Sequence, residues 1–480
     1  MKLRSNTTYS LDDANGNLRW AVLPAEVRLM ILKELLEELK RGNERHELSY
    51  WASVSGEWQG FFEPQNFLDL KIQFPGVDID DLNSIVYGYR RNLVKKISLH
   101  VQTEEYDSAN QFDKPETKAT IKANNKIITQ ALKKLFCALS TWVHSSPTGG
   151  IKLELSASSP SDADHPWKHR HGLLTQHDRS RTHSLNSKQR LLGNLLDRSS
   201  RSLSLDQVSI VKRFSVNQLC YRSLSSALLA EVLRSLCRLR TISYEPWYAV
   251  DQTGQTPRNE AMVTLLDFAS QSATVKSVHL WEAQSSLHGN SRFYRPANDN
   301  LVSSAVNASY NLRGFTLCHA VDAKDFFQHA SKDVSGNPTE AMNDVRVWPV
   351  LSYLALTTRI GDLASSPSNL VNLLLEASEA ALRMPLLRLM EIWAPGAGEV
   401  FIFRYDARKD VALLTVAATW QIALNEKVVR SWEMVASRCA RRELTYETRL
   451  VEPKTTASNS LYAYCFSLRL GKLLREWQWA

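Results

Sequence analysis

Seven times along this chain an apolar residue is followed three and five positions later by two more. The sets are Val94/Ile97/Leu99, Val211/Phe214/Val216, Leu239/Ile242/Tyr244, Val275/Val278/Leu280, Leu312/Phe315/Leu317, Leu351/Leu354/Leu356 and Leu387/Met390/Ile392. From Leu239 onward the starts lie 36, 37, 39 and 36 residues apart. One match is weak, because the template is common; a nearly constant interval is a constraint, because it implies one unit repeated and stacked. Between the sets lie helical stretches at 223–236, 259–270, 297–309 and 368–384, the last with Leu370, Leu373, Leu374, Ala377, Ala380 and Ala381 at helical spacing. Strand, loop, helix and strand at a fixed period predict a stacked α/β solenoid, each unit burying its apolar side against its neighbours. An ordinary α/β domain of alternating elements is the competing reading.

The period is longer than the roughly 20 to 29 residues of regular leucine-rich repeats. The expected body is therefore an irregular leucine-rich-repeat-like α/β solenoid. Phe401, Phe403 and Tyr405, a polar link at 406–410 and an apolar run at 411–416 predict a β-hairpin near its end.

The front of the chain reads differently. Pro24 with Glu26 behind it marks a helix start, since proline suits the first helical position and an acid faces the positive helix end. Val27, Leu29, Met30, Ile31, Leu32, Leu35, Leu36 and Leu39 then cover about two-thirds of the helix circumference, more than one core requires. Such a helix needs cover on two sides. After a charged link, Leu48, Trp51, Val54, Trp58 and Phe61 predict a second amphipathic helix closed by Pro64. Composition leaves two readings of the pair: a helical hairpin capping the larger body, or a docking surface for another protein.

Leu23, Pro24, Glu26, Val27, Ile31, Leu35, Val54, Ser55 and Trp58 match, in order, the pattern of the F-box, which this segment resembles. Gly56 stands where a basic residue is usual, and the link at 41–47 is longer than the common form. The stretches 244–247 (YEPW), 348–358 (WPVLSYLALTT) and 381–393 (ALRMPLLRLMEIW) resemble F-box-like proteins of filamentous fungi with a large C-terminal region of unassigned role. The resemblance implies a substrate-recognition subunit of an SCF-type (cullin-RING) ubiquitin ligase that is not itself an enzyme. It would bind a Skp-family adaptor through Leu23, Pro24, Ile31, Leu32, Leu35, Val54 and Trp58.

Composition adds exclusions. Apolar residues make up 44% of the chain and charged residues 22%, ordinary for a globular protein. A net charge of +8 over 480 residues does not by itself argue for nucleic acid. The six cysteines share no C-x-x-C spacing and are expected to be buried thiols in a reducing compartment. The first residues lack the apolar core of a secretory signal, and the most apolar run, 411–424, is shorter than the roughly 18 residues of a membrane span. A soluble cytoplasmic or nuclear protein is expected. No phosphate loop, nucleophile elbow, dinucleotide fingerprint or H-E-x-x-H metal helix is present, so neither a catalytic residue nor a cofactor is assigned. The acids at Asp78, Asp80 and Asp81 follow Pro75-Gly76 and are expected to start a helix rather than hold a metal.

Most of the excess charge lies at 165–206, where Lys168, Arg170, Arg179, Arg181, Lys188, Arg190, Arg198 and Arg201 face Asp178, Asp197 and Asp206. Without helical or strand period, this predicts a flexible insertion holding at most a short helix at 191–196. His165, His169, His171, His177 and His183 lack flanking cysteines, so no metal is assigned.

The expected organisation is a flexible N-terminus (1–19), an F-box-like helical domain (20–66), first solenoid units (67–160), the basic insertion (161–206) and the main solenoid with its late hairpin (207–480). Outward strand positions nominate Trp281, Trp393, Tyr353, His279 and Glu391 for holding an unknown protein target. The residue after each first apolar position is Lys95, Lys212, Arg240, Lys276, Arg313, Ser352 and Arg388, a cation in every repeat but one. It reads either as compensation of helix C-termini or as a stripe selecting acidic or phosphorylated targets. The alternatives to the ligase reading are an interaction scaffold without ubiquitin function and a nucleic-acid-associated protein using the basic insertion.

Overall fold

The computed structural model describes residues 20–42, 47–107, 110–112, 114–142, 149–164, 185–200, 202–217, 220–249, 251–282, 297–332, 346–395, 399–408 and 410–451. The expected flexible N-terminus, the histidines of the basic insertion and Cys465 lie outside the described residues. Strands are β1 (Asp69–Phe74), β2 (Lys96–Gln102), β3 (Ile151–Ser158), β4 (Val211–Val216), β5 (Thr241–Tyr244), β6 (Ser277–Trp281), β7 (Gly314–Asp322), β8 (Tyr353–Thr357), β9 (Leu389–Pro395), β10 (Val400–Asp406), β11 (Ala412–Ala418) and β12 (Leu444–Leu450). Helices are α1 (Ala25–Arg41), α2 (Leu48–Ala52), α3 (Gly56–Asn66), α4 (Asp78–Ile85), α5 (Arg90–Leu93), α6 (Lys118–Ser140), α7 (Leu185–Leu192), α8 (Ser226–Ser235), α9 (Gln252–Gln271), α10 (Asp299–Ser309), α11 (Ala323–Lys332), α12 (Ile360–Ser365), α13 (Pro367–Ala381) and α14 (Glu426–Val435).

The fold is mixed α/β, with one sheet whose strands follow in chain order from β1 to β12. Pairing from β3 to β9 is parallel throughout. Parallel neighbours need a crossover, and helices supply it between β4 and β9. Because α8 packs on α9, α9 on α10, α10 on α11, and α11 on α13, these helices form one layer in strand order. Side-chain caps start α8, α9 and α10: Ser225 accepts from Leu228 N–H, Asp251 from Gly254 N–H and Asn298 from Leu301 N–H. The hairpin expected near the end is β10 and β11, antiparallel to each other, with β10 also antiparallel to β9; β12 returns parallel to β11.

Every repeat set from Val211 on falls on a strand, with its first apolar residue at or just before the strand's first residue. These side chains are buried, including Leu239, Val275, Leu312, Leu351 and Leu387. Each contributes roughly 1.5–3 kcal/mol of apolar burial. The repeat reading misses β1, β3 and β12 as well as helices α6, α11 and α14. The acids Asp78, Asp80 and Asp81 do open a helix, α4.

Several expectations are corrected. The second amphipathic helix is two helices: Ser55 accepts from Trp58 N–H and starts α3 afresh. Pro64 sits inside α3, where it removes one backbone donor near the helix end without stopping the last turn. Within the basic segment the helix is Leu185–Leu192 rather than 191–196. Leu191, Leu192, Leu196, Leu203 and Leu205 are buried, so the described part of that segment packs into the body. Among the described cysteines Cys220 and Cys318 are buried, Cys439 half-buried, and Cys137 and Cys237 exposed. The described residues hold no helix long and apolar enough to cross a membrane.

The chain divides into two compact units, residues 1–71 with 86–97, and 72–85 with 98–480. The first has its own core of Leu32, Leu36, Leu39, Leu48 and Phe62, with Trp20, Trp51, Trp58 and Phe61 packed around it. Beside it Glu63 is buried and paired with Arg90 at 2.5 Å, and it accepts from Gln59 and Tyr89. Burial would raise its carboxyl, but the hydrogen bonds from Gln59, Tyr89 and Arg90 outweigh it and hold the group below its ordinary value of 4.5. A depressed carboxyl stabilises the fold above its unfolded pKa and loses that contribution as pH falls through the folded one. Replacing Glu63 by Gln is therefore expected to cost about 1–2 kcal/mol near neutrality and to flatten the loss of stability in acid. Denaturant melts of both proteins across the acid range measure the difference.

Candidate protein-interaction surfaces

In the N-terminal unit the geometry begins with the helix that Pro24 opens. Arg28 donates to Leu23 O at 2.7 Å and pairs with Glu57 at 2.9 Å, while Trp20 Nε1 donates to the other oxygen of Glu57 at 2.8 Å. The hydrogen bonds from Trp20 and Arg28 hold the Glu57 carboxyl below its ordinary value. The entry to α1 is thus tied to the first turn of α3. With Leu32, Leu36 and Leu39 turned into the core, α1 leaves Val27, Leu29, Met30 and Ile31 exposed, Met30 at 69%. Val27, Met30 and Ile31 stand at i, i+3 and i+4, a stripe on one side of the helix. Tyr50 and Val54 are exposed too.

The seven nominated adaptor contacts separate accordingly. Pro24, Ile31 and Val54 are exposed, Leu35 and Trp58 half-buried, Leu23 buried, and Leu32 is only 2% exposed inside the core. Leu32 is unavailable to a partner, a correction that follows from the helix presenting 27/30/31 outward. Val27, Leu29, Met30 and Tyr50 are exposed apolar residues the sequence reading did not nominate.

In the larger unit, strand register aligns the nominated target residues. Ser215, Ser243, His279, Thr316, Ala355 and Glu391 lie side by side on β4 to β9, and the row continues to Arg404, Thr415 and Glu447. Ser243, His279, Thr316 and Ala355 are half-buried, so this row is accessible and floored by small side chains. Tyr353, half-buried, stands in the neighbouring row between Gly314 and Leu389. His279 and Glu391 are three strands apart, about 14 Å, and do not form a pair. Burial pushes the His279 imidazole down to about 4, so it is neutral at physiological pH.

Trp281 and Trp393 are not the exposed anchors expected of them. They are 4% and 2% exposed and share an apolar cluster with Tyr221, Trp247, Cys318 and Ile402. Beside Trp281 β7 is broken: its register with β8 jumps between Leu317 and Asp322, and His319 adopts φ +62°. There His319 stands edge-on to Trp281 at 5.2 Å, and its backbone N–H donates to Thr357 Oγ1 at 2.6 Å. Glu391 is also buried, with Arg404 Nε at 3.4 Å from its Oε1 and no hydrogen bond to that oxygen among the described residues. Burial, only partly offset by Arg404, raises its carboxyl to about 7. Of the five nominated target residues, His279 and Tyr353 are half-buried and the other three are buried.

The sequence reading missed an ionic centre between the strand ends. Arg222, 2% exposed, pairs with Asp162 at 2.5 Å and with Glu116 at 3.3 Å. Tyr106 O–H donates to Asp162 at 3.0 Å, and Asn124 and Asn194 donate to Glu116. The buried Arg190 guanidinium lies 4.1 Å from the Tyr106 ring centroid. Beside it, burial raises the Cys220 thiol to about 11, which keeps it protonated. The partners of Arg222 are 60 and 106 residues away in sequence, and no local pattern announces such a cluster. Among the described residues no group of His, Cys, Asp and Glu has metal-site geometry.

Truncating Trp281 or Trp393 to Ala is expected to cost about 3–5 kcal/mol, the price of a core aromatic rather than of a surface one; chemical denaturation with a two-state fit measures it. Glu391→Gln should behave oppositely. A raised carboxyl takes up a proton on folding between 4.5 and about 7, so the native protein loses stability as pH rises through that window. The variant should match wild type in acid and exceed it above the window by on the order of 2 kcal/mol.

Residues 267–472 match the model of a family of unknown function, DUF6546. No curated protein matches the chain.

Proposed function

We propose that this chain is a non-catalytic substrate receptor of an SCF-type cullin-RING ubiquitin ligase. The carrying observation is the exposed stripe of Val27, Met30 and Ile31 on the helix that bears the F-box-like pattern, opposite a face already spent on its own core. Water-exposed aliphatic side chains grouped on one helix face mark a protein-binding site more often than scattered ones do. The adaptor side is then Pro24, Val27, Met30, Ile31 and Val54, with Leu23, Leu35 and Trp58 supporting the hairpin beneath them. The larger unit serves as the target-holding body. Its chain-ordered parallel strands, single helical layer and period of 36 to 39 residues support a leucine-rich-repeat-like solenoid. His279 and Tyr353, with the small row between them, supply the accessible sheet face.

Co-expression with a Skp-family adaptor tests the reading. Wild type should co-purify with the adaptor; a Met30→Asp, Ile31→Asp variant should lose it while keeping its thermal melt, since neither residue belongs to the core. Leu23→Ala with Pro24→Ala should weaken capture as well. A wild-type eluate without adaptor defeats the ligase reading in favour of a scaffold without ubiquitin function.

A further inference from the structure

Six consecutive parallel strands are entered through Lys212, Arg240, Lys276, Arg313, Ser352 and Arg388. The backbone binds these residues into one row: each N–H donates to the carbonyl of the residue before it in the series, at 2.8 Å for every step. With parallel strands about 4.8 Å apart, the row is about 24 Å long. Arg240, Lys276, Arg313 and Arg388 are exposed, and among the described residues none has a carboxylate within ion-pair distance. Arg238, also exposed, stands two residues before Arg240. Lys212 is buried at the end of the row; burial, then the charges of Arg240 and Arg238, depress its ammonium. Among the described residues, Arg240, Lys276, Arg313 and Arg388 are like charges on neighbouring strands with no carboxylate paired to them.

Helix ends explain part of this. The strands follow the C-termini of α8, α9, α10 and α13, where a cation contributes about 0.3–1 kcal/mol. Such cations ordinarily reach the free carbonyls. Lys276 does, donating to Ala273 O at 3.0 Å, whereas the side chains of Arg240, Arg313 and Arg388 make no hydrogen bond among the described residues. Among the described residues three guanidiniums therefore keep their donor forks unengaged.

The second feature is apolar. Where the row lacks a cation, at Ser352, the residue two positions upstream is the exposed Val350, and upstream of Arg388 it is the exposed Leu386. Among the described residues the one ring not fully buried at the entries of β5 to β9 is Tyr353, half-buried at the start of β8, where stacking successive bases needs a series of rings, and the row is a single residue wide, which suits an extended chain better than a duplex. We propose that this edge of the sheet docks an acidic peptide segment of a partner protein, its carboxylates against Arg240, Lys276 and Arg313 and aliphatic side chains against Val350 and Leu386. An extended segment of about seven residues spans the row. The surface stands apart from the adaptor reading and survives its failure.

The test uses the full chain and a fluorescein-labelled peptide of glutamates ending in leucines, with a glutamine version and a single-stranded oligothymidylate as competing probes. The glutamate peptide should bind with an affinity that falls as salt rises. The triple variant Arg240→Glu, Lys276→Glu, Arg313→Glu should weaken it by at least about tenfold with an unchanged thermal melt; Leu386→Ser should weaken it in a salt-independent way. If charge reversal perturbs folding, the same three positions changed to Gln carry the comparison. Equal binding of the glutamine peptide, an unaltered affinity in the triple variant, or tighter binding of the oligothymidylate would each overturn the proposal.

Discussion

The rest of the larger unit depends on one repeated interaction, the main-chain bond joining the entry residue of each parallel strand to that of the strand before it. Five such bonds in series, from Lys212 to Arg388, all at 2.8 Å, hold the strands at one height. Parallel neighbours in step require every return path to have nearly the same length, and a helix of similar size must fit each time. Hence the intervals of 36 to 39 residues in the sequence. The period is the covalent consequence of a hydrogen-bond ladder. Where the chain abandons the crossover at β10, the interval collapses, because an antiparallel neighbour needs only a short turn.

Register also explains what stands next to what. Any residue type placed at one position of a unit meets its counterpart on adjacent strands, so chemistry accumulates in rows. The inner rows are aliphatic and aromatic and disappear beneath the helices. The row through Ser243, His279, Thr316 and Ala355 stays half-buried, and apart from His279 its side chains are small. At β7 the rows are interrupted between Leu317 and Asp322, and the left-handed His319 re-aims the chain. Trp281 packs against His319 there, and it shares one buried cluster with Trp393, Trp247 and Tyr221, so the largest side chains of the outward face belong to the core.

The parts legible in the sequence were those fixed by local period. The strands from β4 to β9 could be placed because alternation within a strand is read from three residues. The excess apolar surface of α1 could be read too, since its residues cover more of the circumference than one core uses. Which side was the core could not: Leu32 and Ile31 are neighbours of the same character, and only the packing of Leu48 and Phe62 against Leu32 separates them. Face assignment likewise says which way Trp393 and Glu391 point, not what covers them. The centre of Arg222, Asp162 and Glu116 was invisible because each partner comes from a different crossover, whereas α6 carries a helical period in Ile128, Ala131, Leu132, Leu135, Phe136 and Leu139 that a search for repeat sets passes over.

Charge in this molecule is arranged by two opposite rules. Buried ions are matched: Arg222 lies between two carboxylates, Glu63 is bound by Arg90, and Arg404 lies between Glu391 and Asp406. Taking such a group from water costs several kcal/mol unless it is paired, so the interior admits few exceptions. At the strand entries the rule is reversed, and cations repeat on neighbouring strands, an arrangement that disfavours itself. Solvent screens that repulsion but does not abolish it over about 5 Å, a distance shorter than the Debye length. The helix C-termini before these strands favour a cation at each entry and so work against that repulsion. The uninterrupted series Arg240, Lys276 and Arg313 carries a repulsion that an anion laid across it relieves, and the ladder beneath fixes the backbone spacing from which the three side chains start.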